Sequence, residues 1–144
     1  NEASDSLNNC GFQTIFFNYI NEESELAMVY SMADATIVPS LEDNLPNIVL
    51  ESLSCGTPVV AFHVGGIPDM VQHQVNGYLA PSKDHVKLAH GIKWIKDQKD
   101  EGSDIRIRCR EIALRKYDQS LQAKQYLNLY RNITTKQQYK HLNS

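Results

Sequence analysis

Residues 39–61 read PSLEDNLPNIVLESLSCGTPVVA, and the reading of this stretch decides the fold. Pro39 closes an apolar run, an acidic loop follows, and residues 46–54 form a short apolar helix. Pro46 stands early in that helix, where its missing N–H is harmless. Cys55-Gly56 makes a tight turn, with Gly56 in the left-handed position that commonly ends helices. A second buried strand then spans residues 58–62. Asp43 and Glu51 have seven residues between them, one lying in the loop and the other on the helix. A carboxylate on an otherwise apolar helix costs desolvation unless it has a partner, and a ligand hydroxyl is a suitable one.

Outward from this centre, residues 14–18 are a β-branched and aromatic run that predicts a strand. Asn21 is expected to cap a helix carrying Leu26, Val29 and Tyr30 on one face. Residues 35–38 read as a short strand ending at Pro39. Gly65-Gly66 is a turn before a helical piece at 67–71, and Asn76-Gly77 precedes a small strand at 78–80. After Pro81 the pattern is helical only. Leu88, Ala89, Ile92 and Ile95 make one stripe, and Ile105, Cys109, Ile112 and Ala113 make another. Ser120 opens a third helix, with Leu121, Ala123, Leu127 and Tyr130 expected inward. Trp94 and the late tyrosines are assigned to core or interdomain packing. Segments 1–13 and 134–144 are polar and expected to be loose, which leaves 14–133 as the folded part.

Short unbroken apolar strands alternating with helices specify an α/β fold. The expectation is a Rossmann-like parallel sheet with helices on both faces and a helical C-terminal part. Ligands of such sheets sit outside the carboxyl ends of the strands. Residues 41–47 and 63–66 follow two strands at that edge, so the pattern brings the carboxylates and the Gly-Gly turn to one crevice.

With 144 residues, 42% of them hydrophobic, the chain can bury one core. No apolar stretch is long enough to span a membrane, and there is no charged-then-apolar leader. Cys10, Cys55 and Cys109 match neither a zinc pattern nor a disulfide framework, which suits a reducing cytoplasm. The net charge of −3 hides an asymmetry. Residues 1–82 hold ten acidic residues and no Lys or Arg, whereas residues 83–144 hold fourteen basic against seven acidic. A diphosphate needs cations or helix-end amides, and the half that carries the motif offers only amides.

Several blocks occur in order: Ala33-Asp34-Ala35, Pro39-Ser40, Asp43 to Glu51, and Cys55-Gly56-Thr57-Pro58-Val59-Val60. Gly65-Gly66-Ile67-Pro68-Asp69 and Asn76-Gly77-Tyr78-Leu79 continue the series. This succession resembles the C-terminal, donor-binding half of family 4 retaining glycosyltransferases of the GT-B fold, over roughly residues 14–131. The resemblance implies transfer of a hexosyl unit from a nucleotide-diphosphate sugar, with no metal or other cofactor. The acceptor would be a glycan or a lipid-linked sugar. By the same resemblance Glu51 binds the ribose hydroxyls, and Asp43 lies near the donor sugar and phosphate. Asp43 stands where the family most often has Glu, and either it or the adjacent Glu42 reaches into the cleft. Asp69 likewise replaces a usual Glu.

Backbone N–H groups of Leu45, Asn47 and Ile48, at a helix start, can face phosphate or sugar oxygens, and Asn44 belongs to the same loop. His63 is an ordinary loop histidine or a phosphate or sugar contact. Gly65 and Gly66 serve a tight turn or the close approach of a ligand. Glu51 could instead brace a neighbouring loop, and Asp43 or Glu42 could cap the helix. Cys55 is a small buried filler or, less simply, a reactive thiol. Family relatives carry an Arg and a Lys that clamp the diphosphate, upstream of residue 14, and an N-terminal acceptor domain. The resemblance therefore implies that these 144 residues are part of a longer enzyme and inactive alone. The basic helices are a solvated face or a surface for peripheral contact with anionic lipid at the inner face of a membrane. No basic-aromatic platform for nucleic acid is visible. Two other classes fit less of the pattern: a GT-B sugar-nucleotide epimerase, and a non-catalytic Rossmann-like domain kept for binding or assembly.

Overall fold

The structure, a computed structural model, describes residues 13–17 and 19–141. Its described elements are α1 (Glu23–Met32), β1 (Thr36–Val38), α2 (Asn47–Ser54), β2 (Val59–Phe62), α3 (Ile67–Met70) and β3 (Gly77–Ala80), followed by three helices. These are α4 (His85–Asp100), α5 (Ile105–Tyr117) and α6 (Gln119–His141). The strands form one parallel sheet in the order β1-β2-β3, with Val38 beside Ala61 and Phe62 beside Ala80. This is the expected α/β sheet with a helical C-terminal part.

The period-2 alternation of β2 divides the core between two faces. Val59 and Ala61 join Val49, Leu53, Ile67, Met70, Ile105 and Cys109 under α2, α3 and α5. Val60 and Phe62 join Ala80, Leu88 and Ile95 under α4. All four β2 residues are wholly buried, which is why the run carries no polar residue. Trp94 packs against both clusters.

Four expectations are corrected. Residues 14–17 have no regular structure, and Ile15, Phe16 and Phe17 are exposed; Asn18 lies outside the described residues. Strand propensity is realised only on a paired, half-buried surface, and this run has none among the described residues. Helix α1 starts at Glu23 after Glu22, so Asn21 is not its cap; Glu23 and Glu25 instead complement the helix dipole. On α4 the buried stripe is Leu88, Gly91 and Ile95, while Ala89 and Ile92 are exposed. A Cβ on Gly91 would lie 2.7 Å from both Tyr78 and Val60, so the glycine lets α4 lie close on the sheet.

The last correction concerns α6. It opens from Asp118, whose Oδ1 accepts from the N–H groups of Ser120 and Leu121, and it is helical through His141. Leu121 is half-buried, but Ala123, Leu127 and Tyr130 are exposed because the sheet faces are already covered by other helices. Residues 1–12 and 142–144 of the terminal segments lie outside the described residues.

Two outcomes follow from this packing. Leu53 is wholly buried, so Leu53→Ala should cost about 2–5 kcal/mol in urea unfolding. Burial pushes the Cys109 thiol up to about 12, and its Sγ sits 3.3 Å from Asn76 O. Cys109 should therefore resist iodoacetamide at pH 8 in the folded protein and react once the protein is unfolded in urea.

Candidate functional site

Both loops singled out by the sequence emerge at the carboxyl edge of the sheet, residues 39–46 after β1 and 63–66 after β2. They are in direct backbone contact. The Gly66 N–H donates to Asn44 O at 2.7 Å. A Cβ on Gly65 would fall 1.6 Å from Asp43 O, and one on Gly66 would fall 2.2 Å from Asn44 O. Gly65 also holds φ +51°, which side chains rarely adopt. The two glycines are thus explained by a loop resting on their backbone. His63 extends the same lock, its N–H donating to Ala80 O at 2.7 Å while its side chain is exposed.

The acidic loop delivers the chain into α2 with Pro46 as the N-cap residue, in extended conformation and with no side-chain cap. Neither Asp43 nor Glu42 caps this helix. Val49 N–H bonds back to Pro46 O, whereas Asn47 and Ile48 are the first helical residues and lack an acceptor within the helix. Leu45, Asn47 and Ile48 are exposed, Asp43 is half-buried and Glu42 is exposed. Val49, Ser52 and Leu53 form the buried face of α2, and Asn47 and Glu51 lie one turn apart on the opposite side. Asp43, Asn44, Leu45, Gly65 and Gly66 are therefore gathered at one place. Glu51 stands one turn further along the helix.

Glu51 has a partner that sequence reasoning did not assign. Tyr30 of α1 donates its hydroxyl to Glu51 Oε2 at 2.9 Å. Burial, and next the bond to Glu51, raises the Tyr30 pKa far above the ordinary phenol range, so the hydroxyl stays a donor. The two residues border a groove of about 880 Å³ between α1 and α2, with Leu26, Ala27 and Leu50 on its walls. The only sequence signal was a tyrosine on the inward face of an amphipathic helix.

The cations of the C-terminal half reach the acidic half at its far edge. Arg106 donates to Ser31 O and Ala33 O at the C-terminal end of α1, and Arg110 donates to Ser54 O at the end of α2. Both thus neutralise helix C-termini, opposite the edge that carries the loops. Among the described residues, no three His, Cys, Asp or Glu side chains gather so as to hold a metal ion. Nor is any described helix long and apolar enough to cross a membrane.

Against known proteins, the family described as Glycosyl transferases group 1 matches residues 3–114. The chain belongs to this family. An uncharacterised glycosyltransferase of Methanocaldococcus jannaschii is 27% identical over 119 residues, covering 83% of this chain and 30% of that protein. Sucrose-phosphate synthase from Thermosynechococcus elongatus superposes with a TM-score of 0.81 at 29% identity, over 93% of this chain and 33% of that one. The Anabaena protein HepE, in complex with UDP-glucose, gives a TM-score of 0.75 at 22% identity, over 91% and 36% of the two chains, a likeness of fold alone. This group 1 glycosyltransferase domain therefore has the Rossmann-like sheet of the GT-B enzymes and spans about a third of the length of its relatives.

The loop contact makes a direct test. Gly65→Ala should cost about 1–3 kcal/mol from the left-handed backbone alone. It should also shift the amide resonances of residues 43–45, whereas an unmoved 43–45 loop would contradict the contact.

Proposed function

We propose that this domain is the nucleotide-sugar donor site of a retaining, family 4 glycosyltransferase. In this reading the unpaired amides at the start of α2 face the diphosphate, and Glu51 accepts hydrogen bonds from the ribose diol one turn away. A vicinal diol offers two donors and a carboxylate can accept both. Asp43, half-buried where the two loops meet, lies toward the donor sugar, with Asn44, Leu45 and the Gly65-Gly66 backbone beside it. Glu42, on the exposed side of the loop, has the weaker claim to that place. His63 follows β2 at the same rim and is a further candidate for phosphate or sugar contact.

Charge on the departing nucleotide diphosphate grows in the transition state. Preorganised amides aimed at it stabilise that charge without reorganising. The donor in this reading is a nucleotide-diphosphate sugar, and the binding of UDP-glucose by HepE supports it. Acceptor recognition falls to parts of the enzyme beyond this domain. The observation that carries the reading is the locked pair of loops above the amide end of α2, with Glu51 one turn along the same exposed face.

Titration with UDP, GDP and ADP, followed by isothermal calorimetry or ligand-observed NMR, tests it. Saturable binding of one nucleotide is expected. Glu51→Ala should weaken that binding about tenfold or more, since hydrogen bonds to charged groups contribute ~1.5–3 kcal/mol. The exposed position of Glu51 should leave urea stability within about 1 kcal/mol of the parent. Unchanged affinity in the folded variant, or no saturable binding of any of the three, overturns the reading.

A further inference from the structure

The end of α1 that carries Tyr30 is held by two side chains through three hydrogen bonds. Thr57, wholly buried, donates from Oγ1 to Tyr30 O at 2.6 Å. Arg106 of α5 donates to Ser31 O at 2.7 Å and to Ala33 O at 2.8 Å. Thr57 itself follows the Cys55-Gly56 turn, and its N–H bonds back to Ser52 O at 2.9 Å. Tyr30 O is therefore tied to the turn after α2, while Ser31 O and Ala33 O beside it are tied to α5. Tyr30 is 9% exposed and lines the groove, and its hydroxyl meets Glu51 Oε2.

A glutamate on an exposed helix face rotates freely about three bonds, and a ligand that fixes it must overcome that lost freedom. A rigid donor already bonded to one carboxylate oxygen removes most of this cost before the ligand arrives. Glu51 is on such a face, and Tyr30 is such a donor. We infer that Tyr30 is a positioning residue: it holds Glu51 by Oε2 so that Oε1 is presented to the ribose hydroxyls. This inference rests on the ribose role proposed for Glu51. Tyr30 does not itself touch the nucleotide; it acts through Glu51. The anchoring of α1 by Thr57 and Arg106 links the orientation of that carboxylate to the packing of α5.

The test compares UDP with 2′,3′-dideoxy-UDP, which lacks the diol, on the parent protein, Tyr30→Phe, Glu51→Ala and the double variant. Phenylalanine keeps the buried ring, and equal urea midpoints check that the fold is kept. The parent should prefer UDP, and Glu51→Ala should abolish most of that preference. Tyr30→Phe should weaken UDP about three- to tenfold, the scale of one immobilised side chain, and leave the dideoxy analogue unchanged. In the Glu51→Ala background the same substitution should have no further effect. A general structural role would lower both affinities together, and that result overturns the inference. A full diol preference in Tyr30→Phe, with that preference lost in Glu51→Ala, overturns the positioning role and leaves the ribose role standing. A preference that survives Glu51→Ala, or a parent protein that binds neither ligand, removes the ribose role and the inference with it.

Discussion

The geometry of the candidate site depends on one backbone-to-backbone contact. The carbonyls of Asp43 and Asn44 rest on Gly65 and Gly66 so closely that a single methyl group on either glycine would collide with them. This contact joins two loops that leave neighbouring parallel strands, and it fixes where the acidic loop can run. Entry into α2 follows from it, because Pro46 must begin the helix directly beyond the contact. The direction of the first free amides of α2, and the height of Glu51 above the sheet, are set by the same entry point. Loops ordinarily tolerate substitution and movement. Here the absence of side chains at two positions makes a loop as well placed as a strand.

A second constraint is electrostatic. The chain separates its charges along the sequence, and the fold holds Arg106 and Arg110 of α5 at the ends of α1 and α2. Arg106 and Arg110 bond to carbonyls where α1 and α2 end, which is the favourable end for a cation on a helix dipole. Helices of a parallel α/β unit run antiparallel to its strands. Stabilising their C-terminal ends therefore places these cations away from the carboxyl edge. The two loops after β1 and β2 carry amides and carboxylates, with no Lys or Arg among residues 39–46 and 63–66.

The parts of the sequence that proved legible were those in which local chemistry and tertiary packing agree. Val59–Phe62 reads as a central strand because all four side chains are apolar, and both of its faces are indeed covered. Ile105, Cys109, Ile112 and Ala113 repeat at helical spacing and are all buried. The misread parts were segments whose propensity has no partner to satisfy it. Residues 14–17 have strand composition but join no ladder among the described residues, and Leu127 and Tyr130 of α6 are exposed there. Ala89 and Ile92 were placed inward by apolarity alone. The helix instead turns Gly91 to the sheet, because Tyr78 already fills the space a larger side chain would need.

The same division holds at the site. The sequence by itself determined the parallel α/β class, the carboxyl edge as the place of the candidate site, and the residue types gathered at that edge. These follow from the period of apolar residues, from turn chemistry and from the order of the motif blocks, all of which are local along the chain. Tertiary structure alone decided that Gly65 and Gly66 serve a loop-on-loop contact, that Asp43 is the more enclosed of two adjacent carboxylates, and that Tyr30 holds Glu51. The first and last of these join residues some twenty positions apart through distances of a few ångströms. Such closeness is fixed by how the layers pack, and no periodicity along the chain encodes it.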